Sequence, residues 1–163
     1  KESQNRIRSM ALVHEKLYQA DDFIHINLGD YLRDLSAHLF RSYKRYPNTI
    51  DINIDSEDIQ LTIDTSIHLG LLINELVTNS LKHAFPEDRK GKIDISIKHK
   101  DEMIELRIKD NGVGLPRDFD MSNTESLGLQ IVNSLITQVS GTIRYHANEG
   151  TEFLISFPLE KKN

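Results

Sequence analysis

The stretch IDISIKHKDEMIELRIKDNGVG, residues 93–114, places two runs of alternating residues directly before a glycine-rich loop. Isoleucine or leucine occupies every second position in 93–97 and again in 104–108, and polar residues stand between them. Alternation with a period of two is typical of strands that bury one face. The polar residues 99–102 predict a tight turn between the two runs. The stretch therefore predicts a β-hairpin whose second strand ends at Asp110.

Helical and alternating segments continue on both sides of this hairpin. Apolar residues at helical spacing predict four helices, which cover about 5–20, the residues after Asn27, about 64–84 and about 127–139. Further alternating segments predict strands near 50–54, 59–63, 143–145 and 153–157. This order lacks the strict strand–helix alternation of a doubly wound parallel sheet. We therefore predict an α+β fold, a two-layer sandwich of a mixed, mostly antiparallel sheet with helices on one face, preceded by a helical arm.

Local signals predict where the helices begin and end. Asn27 is expected to cap the second helix. The buried stripe of that helix is predicted to consist of Leu28, Tyr31, Leu32, Leu35 and Leu39. Phe85-Pro86 is expected to end the third helix, and the fourth is expected to end before Gly141.

Composition narrows the classes of function. The chain has 163 residues, 20 Lys and Arg against 25 Asp and Glu, a net charge of -5 and no cysteine. The length suits one domain with a helical arm. The lack of cysteine excludes disulfides, thiolate zinc sites and cysteine nucleophiles. Without a basic excess we expect no nucleic-acid partner. The apolar runs are too short to cross a bilayer, so we expect no membrane contact from this segment. Because residue 1 is Lys, we expect a piece cut from a longer protein.

The predicted third helix carries a polar stripe that could hold a phosphate. Glu75, Asn79, Lys82 and His83 fall within about 100° of arc, opposite an apolar face that would pack on the sheet. A solvated helix face is the simpler interpretation. Asn79, however, could offer the oxygen that Mg²⁺ takes from a protein, while Lys82 and His83 could meet phosphate charge. Glu75 could orient or deprotonate a nucleophile.

Three further segments could complete a nucleotide site. Asp110 emerges at a strand end and could accept a hydrogen bond from an exocyclic amine, while Gly112 and Gly114 let the backbone approach, although a turn alone would explain both glycines. The polar stretch 116–126 is long enough to be a lid. Ser126 precedes a helix N-terminus that would attract an anion, or simply initiates that helix. The chain contains no P-loop motif and no dinucleotide-binding glycine motif.

Together these segments resemble one family. The motifs NELVTNSLKHAF (74–85), DNGVGLP (110–116), SLGLQIV (126–132) and GTEFLISFP (150–158), in that order, are similar to the catalytic domain of sensor histidine kinases. These kinases belong to the GHKL group, alongside type II topoisomerase, mismatch-repair and heat-shock chaperone ATPases. RIRSMALVHEKLY (6–18) resembles the second helix of the dimerisation hairpin of one histidine-kinase subgroup. The resemblance divides the chain into a hairpin helix at 1–22 and an ATP-binding catalytic domain at 23–163.

The resemblance implies roles for individual residues. Asn79 would carry Mg²⁺, with Lys82 and His83 near the phosphates of ATP. Asp110 would recognise the adenine amine, supported by Thr151, and Gly112 and Gly114 would shape the pocket floor. Gly128 and Leu129 would close the nucleotide from the lid side, in a motif whose usual first glycine is replaced by Ser126. Phe119 is the candidate for the family's lid phenylalanine. Glu75 stands where related ATPases keep their general base.

The resemblance also implies partners and leaves the phosphate acceptor open. The accepting histidine of the family would precede residue 1, and His14 lies on an apolar helix face that favours packing over phosphate acceptance. The expected partners are a response-regulator receiver domain and a second copy of the chain, joined through the dimerisation helices. We expect a cytoplasmic location, either free or as the cytoplasmic part of a membrane-bound sensor. The alternatives are a serine kinase of the anti-sigma-factor type and a catalytically lapsed nucleotide-binding interaction module.

Overall fold

The computed structural model describes residue 11 and the ranges 25–42, 50–123 and 126–159. The strands are β1 (His25–Asn27), β2 (Ile50–Ser56), β3 (Gln60–Thr62), β4 (Gly91–Lys100), β5 (Met103–Asp110), β6 (Thr142–His146) and β7 (Glu152–Pro158). The helices are α1 (Leu28–Ser42), α2 (Ile63–Asn79) and α3 (Leu127–Gln138). A π-helical turn, Ser80–Ala84, continues α2, and a short 3-10 helix, Pro86–Asp88, follows it.

The central sheet has five strands in the order β2-β4-β5-β7-β6. Strands β2 and β4 run parallel, with Ile52 opposite Ile93, and the other three pairs are antiparallel. The predicted hairpin is present, since β4 and β5 pair from Lys100–Met103 at the turn to Ile93–Asp110 at the far end. The mixed, mostly antiparallel sheet of the predicted fold is therefore confirmed.

One face of this sheet is buried beneath the helices. Helix α1 packs against β2 and α2, helix α2 against β5 and α3, and helix α3 against β6. The opposite face carries ion pairs between neighbouring side chains, including Lys98–Asp55 and Arg107–Glu152. Alternate strand residues therefore separate an apolar core from a charged surface, as the period of two requires.

Polar side chains cap the first two helices. Asn27 Oδ1 accepts a hydrogen bond from the backbone N–H of Asp30 at 3.0 Å, which confirms the predicted cap of α1. Thr62 Oγ1 accepts from the backbone N–H of Thr65 at 3.4 Å and so caps α2. The predicted stripe of α1 is buried at Leu28, Tyr31, Leu32 and Leu35, and the side chain of Leu39 lies outside the described residues.

Two local predictions differ from the structure. The alternating run 59–63 is a strand only over Gln60–Thr62, and it pairs with β1, which was not predicted, in a separate two-stranded sheet. Helix α2 changes to a π turn after Asn79. Helix α3 ends at Gln138, before Gly141 as predicted, and the positive φ that follows it falls on Ser140, at 53°. The predicted arm at 5–20 lies outside the described residues except for Ala11, which is helical.

Candidate functional site

A cavity of about 630 Å³ opens between the end of α2 and the start of α3. Six residues of the predicted site line it: Asn79, His83, Asp110, Gly114, Leu129 and Thr151. The loop that follows β5 forms much of the remaining wall, from Val113 to Phe119. Polar groups from four separate chain segments therefore meet in one apolar-walled space, as is typical of small-molecule sites.

Asp110 is the most firmly held polar group in this cavity. Its side chain is buried, with 2% of its surface exposed. Oδ1 accepts hydrogen bonds from the backbone N–H groups of Gly112 and Thr151, each at 3.0 Å, and Oδ2 accepts from the Ser80 hydroxyl at 2.8 Å. A carboxylate offers about four acceptor positions. Three are filled by the protein, so one position on Oδ2 is left for a donor in the cavity.

Two glycines allow the backbone to approach this carboxylate. Gly150 has a φ of 109°, and a Cβ at that position would overlap the carbonyl oxygen of Asp110. A Cβ on Gly112 would overlap the carbonyl oxygen of Ala84, which accepts a hydrogen bond from the Val113 N–H at 2.9 Å. Because Gly112 has no side chain, the loop can pass close to the π turn.

The π turn shapes the wall that α2 contributes. A π turn closes its hydrogen bond over one more residue than an α-helical turn. Two adjacent pairs, Asn79–Ser80 and His83–Ala84, both line the cavity. An amide, a hydroxyl and an imidazole are thus presented from one short segment.

Four predicted site residues stand outside the cavity lining. Glu75 is buried one turn before Asn79, where the Asn74 side-chain amide donates to its Oε1 at 3.5 Å. Lys82 is half-buried, Gly128 is buried in the first turn of α3, and Gly112 lies against Ala84. The structure therefore brings six of the ten predicted residues directly to the cavity and leaves the others beside it.

The part of the lid that the structure describes is anchored to the fold. Phe119 lines the cavity and packs edge-on against the Tyr145 ring, with centroids 5.1 Å apart. The Tyr145 hydroxyl donates to the carbonyl oxygen of Phe119 at 3.2 Å. The Asn133 side-chain amide donates to the carbonyl oxygen of the buried Met121 at 2.8 Å. Both β6 and α3 therefore hold this loop.

The sequence did not single out several lining residues, among them Ser80 and Phe153. Phe153 could have been found, because it lies two positions after Thr151, and alternate residues of an extended segment point the same way. Ser80 could not have been found this way, since on a regular helix it would point about 100° away from Asn79.

Comparison with known proteins identifies the family. Residues 64–161 match the family model described as histidine kinase-, DNA gyrase B- and HSP90-like ATPase. The chain belongs to this family. Residues 1–43 match a second family model, described as histidine kinase. The chain therefore contains a histidine kinase catalytic domain, and its ATPase fold is one that binds ATP.

Individual relatives of this histidine kinase domain agree with the family matches. The chain is 30% identical to the sensor histidine kinase PdtaS of Mycobacterium tuberculosis, over 99% of this chain and 32% of that protein. It is 27% identical to the blue-light-activated histidine kinase 2 of Erythrobacter litoralis, over 96% of this chain and 46% of that protein. The chain therefore spans less than half the length of these curated relatives.

A solved structure shares the fold of this histidine kinase domain. The histidine kinase domain from the Erythrobacter litoralis EL346 blue-light activated histidine kinase superposes with a TM-score of 0.85 at 25% sequence identity. The match covers 96% of this chain and 74% of that one. Within the residues that the structure describes here, no helix has both the length and the apolar character needed to cross a membrane.

Proposed function

We propose that this chain binds Mg-ATP in the cavity beside α2 and transfers the γ-phosphoryl group to a histidine on the first helix of the dimerisation hairpin. That histidine would pass the phosphoryl group to an aspartate of a response-regulator receiver domain. The proposal includes a homodimer formed through the hairpin helices and a cytoplasmic location. The division into a hairpin helix at 1–22 and a catalytic domain at 23–163 belongs to the same proposal.

The observation that carries the proposal is the buried carboxylate of Asp110. Three protein donors fill its other acceptor positions and leave one on Oδ2, at the wall of the cavity. A single acceptor in an apolar surrounding suits the exocyclic amine of adenine, because a ligand donor there satisfies the last lone pair. Leu129 and Phe153 supply apolar surface to the same cavity.

The polar groups of the cavity also fit one Mg²⁺ ion that would be held chiefly by the phosphates of the nucleotide. Asn79 presents an amide to the cavity, and its side chain makes no capping hydrogen bond at the start of the π turn. The described residues contain no group of three or more His, Asp or Glu side chains that could form a protein cage for a metal. Mg²⁺ commonly binds through one or two protein oxygens together with substrate phosphates. When bound, it neutralises charge on the phosphate oxygens.

The protein residues have distinct tasks in this proposal. Asp110 and the apolar wall hold the base, while Asn79 and His83 face the phosphate end. Because phosphoryl transfer depends mostly on alignment and charge stabilisation, these contacts need only hold the γ-phosphoryl in line with the acceptor. Glu75 is buried one turn from Asn79 and outside the cavity lining, so in this proposal it would influence the accepting histidine and not the nucleotide.

Titration calorimetry with a non-hydrolysable ATP analogue, with and without Mg²⁺, tests the nucleotide site. We expect saturable binding that depends on Mg²⁺ and that is lost in Asn79→Ala. Asn53→Ala, on the exposed side of β2, is the matched control and should bind as the unmodified chain does. Normal magnesium-dependent binding by Asn79→Ala would refute the metal assignment. A lack of binding at millimolar analogue would refute the nucleotide site itself.

The chemistry of the product separates the two kinase alternatives. A protein extended to include the complete hairpin would be incubated with Mg-ATP and then treated with acid. Phosphohistidine is lost in acid, whereas phosphoserine survives. We expect an acid-labile product, because residues 1–43 match the histidine kinase model. An acid-stable product would favour the serine kinase of the anti-sigma-factor type.

A further inference from the structure

We propose that the Ser80 hydroxyl is a positioning group that makes the cavity selective for 6-amino purines by fixing which lone pair of Asp110 faces the ligand. This inference rests on the proposed function, since it assumes that a purine nucleotide occupies the cavity. It concerns a residue next to Asn79 that does not itself need to contact phosphate or metal.

The contact between Ser80 and Asp110 is buried at both ends. Ser80 has 6% of its surface exposed and Asp110 has 2%. Their 2.8 Å hydrogen bond joins the first residue of the π turn to the last residue of β5, 30 positions apart in sequence. A serine hydroxyl has one proton to donate, and this contact uses it. Ser80 can therefore orient the carboxylate without offering the ligand a competing donor.

Backbone contacts alone would hold Oδ1 and leave the direction of Oδ2 less constrained. The N–H groups of Gly112 and Thr151 both donate to Oδ1, so Ser80 is the described residue whose donor fixes Oδ2. Without the hydroxyl, Oδ2 would keep two open acceptor positions and the carboxylate could tilt towards the cavity. With the hydroxyl present, one acceptor position remains and its direction is set.

This arrangement discriminates between the two common substituents at purine position 6. A 6-amino group donates a hydrogen bond to the open position on Oδ2. A 6-oxo group would place a second acceptor against the open lone pair of Oδ2, which leaves that lone pair and the oxo group unpaired and is costly in a buried site. The geometry therefore favours adenine over hypoxanthine or guanine, and Ser80 sharpens that preference by keeping Oδ2 in place.

Calorimetry with ADP and inosine diphosphate in magnesium buffer tests this role in the full chain. Ser80→Ala should weaken ADP binding about tenfold, the usual scale for one hydrogen bond to a charged group. Inosine diphosphate affinity should change by less than about twofold, since that ligand does not use the open lone pair. The selectivity ratio should therefore fall, and Ser80→Thr, which retains a hydroxyl, should restore most of it.

Ser66→Ala is the matched control, because Ser66 is also a buried serine of α2 and its hydroxyl contacts no partner among the described residues. It should leave both affinities unchanged, and thermal unfolding checks that every variant is folded. Unchanged ADP affinity in Ser80→Ala, or an equal loss for both nucleotides, would overturn the role of Ser80 but not the proposed function. Failure of the unmodified chain to bind ADP would overturn the proposed function and this inference together.

Discussion

Asp110 and Thr151 exchange hydrogen bonds in both directions. The Thr151 N–H donates to Oδ1 of Asp110 at 3.0 Å, and the Asp110 N–H donates to the carbonyl oxygen of Thr151 at 2.8 Å. The two residues are 41 positions apart, at the end of β5 and just before β7. The proposed base-binding carboxylate is therefore held by the backbone of a turn whose shape depends on Gly150.

Gly150→Ala should both destabilise the protein and weaken nucleotide binding. The φ of 109° is unfavourable for alanine, and the new Cβ would meet the Asp110 carbonyl oxygen. We expect a loss of about 2–4 kcal/mol in the free energy of unfolding, measured in urea. The affinity for ADP should fall as well, because the Thr151 N–H would move away from the carboxylate.

Gly29→Ala is the control for that substitution. Gly29 lies in α1 without a positive φ, and the atoms nearest to an added Cβ, at 3.1–3.3 Å, belong to the side chains of Ser56 and Asn27. Alanine favours helices, so stability should change by less than about 1 kcal/mol. Equal stability of the two variants would show that the turn at Gly150 tolerates a side chain.

Tyr145→Phe should loosen the lid without unfolding the domain. The variant keeps the ring contact with Phe119 and removes only the hydroxyl that donates to the Phe119 carbonyl oxygen. One such hydrogen bond contributes about 1 kcal/mol, so amides in 117–123 should exchange about fivefold faster with solvent. Hydrogen exchange with mass spectrometry measures this effect. Ser56→Ala removes a hydroxyl–carbonyl bond at the end of β2, on the sheet edge opposite β6, and should leave those amides unchanged.

Tyr31→Phe should make the protein less sensitive to alkali. Burial raises the pKa of Tyr31 above its ordinary value of 10.0, so the folded state favours the neutral phenol. This contribution is complete below pH 10 and is lost as the pH rises further, because the unfolded chain releases the proton first. We expect the unmodified protein to lose about 1.4 kcal/mol more than Tyr31→Phe between pH 8 and pH 11.

At neutral pH the same variant should be nearly as stable as the unmodified chain. The Tyr31 hydroxyl has no hydrogen-bond partner among the described residues, so its removal breaks no contact there. Urea unfolding at several pH values gives both results. An equal fall in the free energy of unfolding of the two proteins at alkaline pH would contradict the prediction.

Glu75→Gln should separate nucleotide binding from phosphoryl transfer. Glu75 stands outside the cavity lining, so the affinity for ADP should remain within about twofold of the unmodified value. If the carboxylate orients the accepting histidine, transfer in a protein with the complete hairpin should slow by about 100-fold. Asn79→Ala, by contrast, should lose nucleotide binding itself. A Glu75→Gln protein that transfers phosphate at the normal rate would remove this residue from the mechanism.

Periodicity predicted the architecture because it reflects burial directly. The alternation in 93–97 and 104–108 requires one buried strand face, and the structure pairs these strands as predicted. Asn27 was identifiable as a cap because its side-chain oxygen meets a local backbone donor. Strands β1 and β3 were not predicted correctly, since three residues are too few to show a period.

The candidate site was predictable in its motifs and less so in its contacts. Asp110 and Asn79 were identifiable as polar residues at a strand end and on a helix stripe. Thr151 acts through its backbone N–H, a group that every residue except proline carries, so its residue type gives no signal. The place of Ser80 in the cavity depends on the π turn, and no pattern of residue types in the sequence predicts that turn.

The π turn also fixes how this chain should be aligned with its relatives. The segment Ser80–Ala84 accommodates one residue more than a regular helix would over the same rise. Deleting one residue there would return the segment to a regular helix and would change which side chains of 80–83 face the cavity. Homologous chains that are one residue shorter at this point therefore place a different side chain where His83 stands. A single gap in an alignment would mark a change in the chemistry of the phosphate end, although every motif would still match.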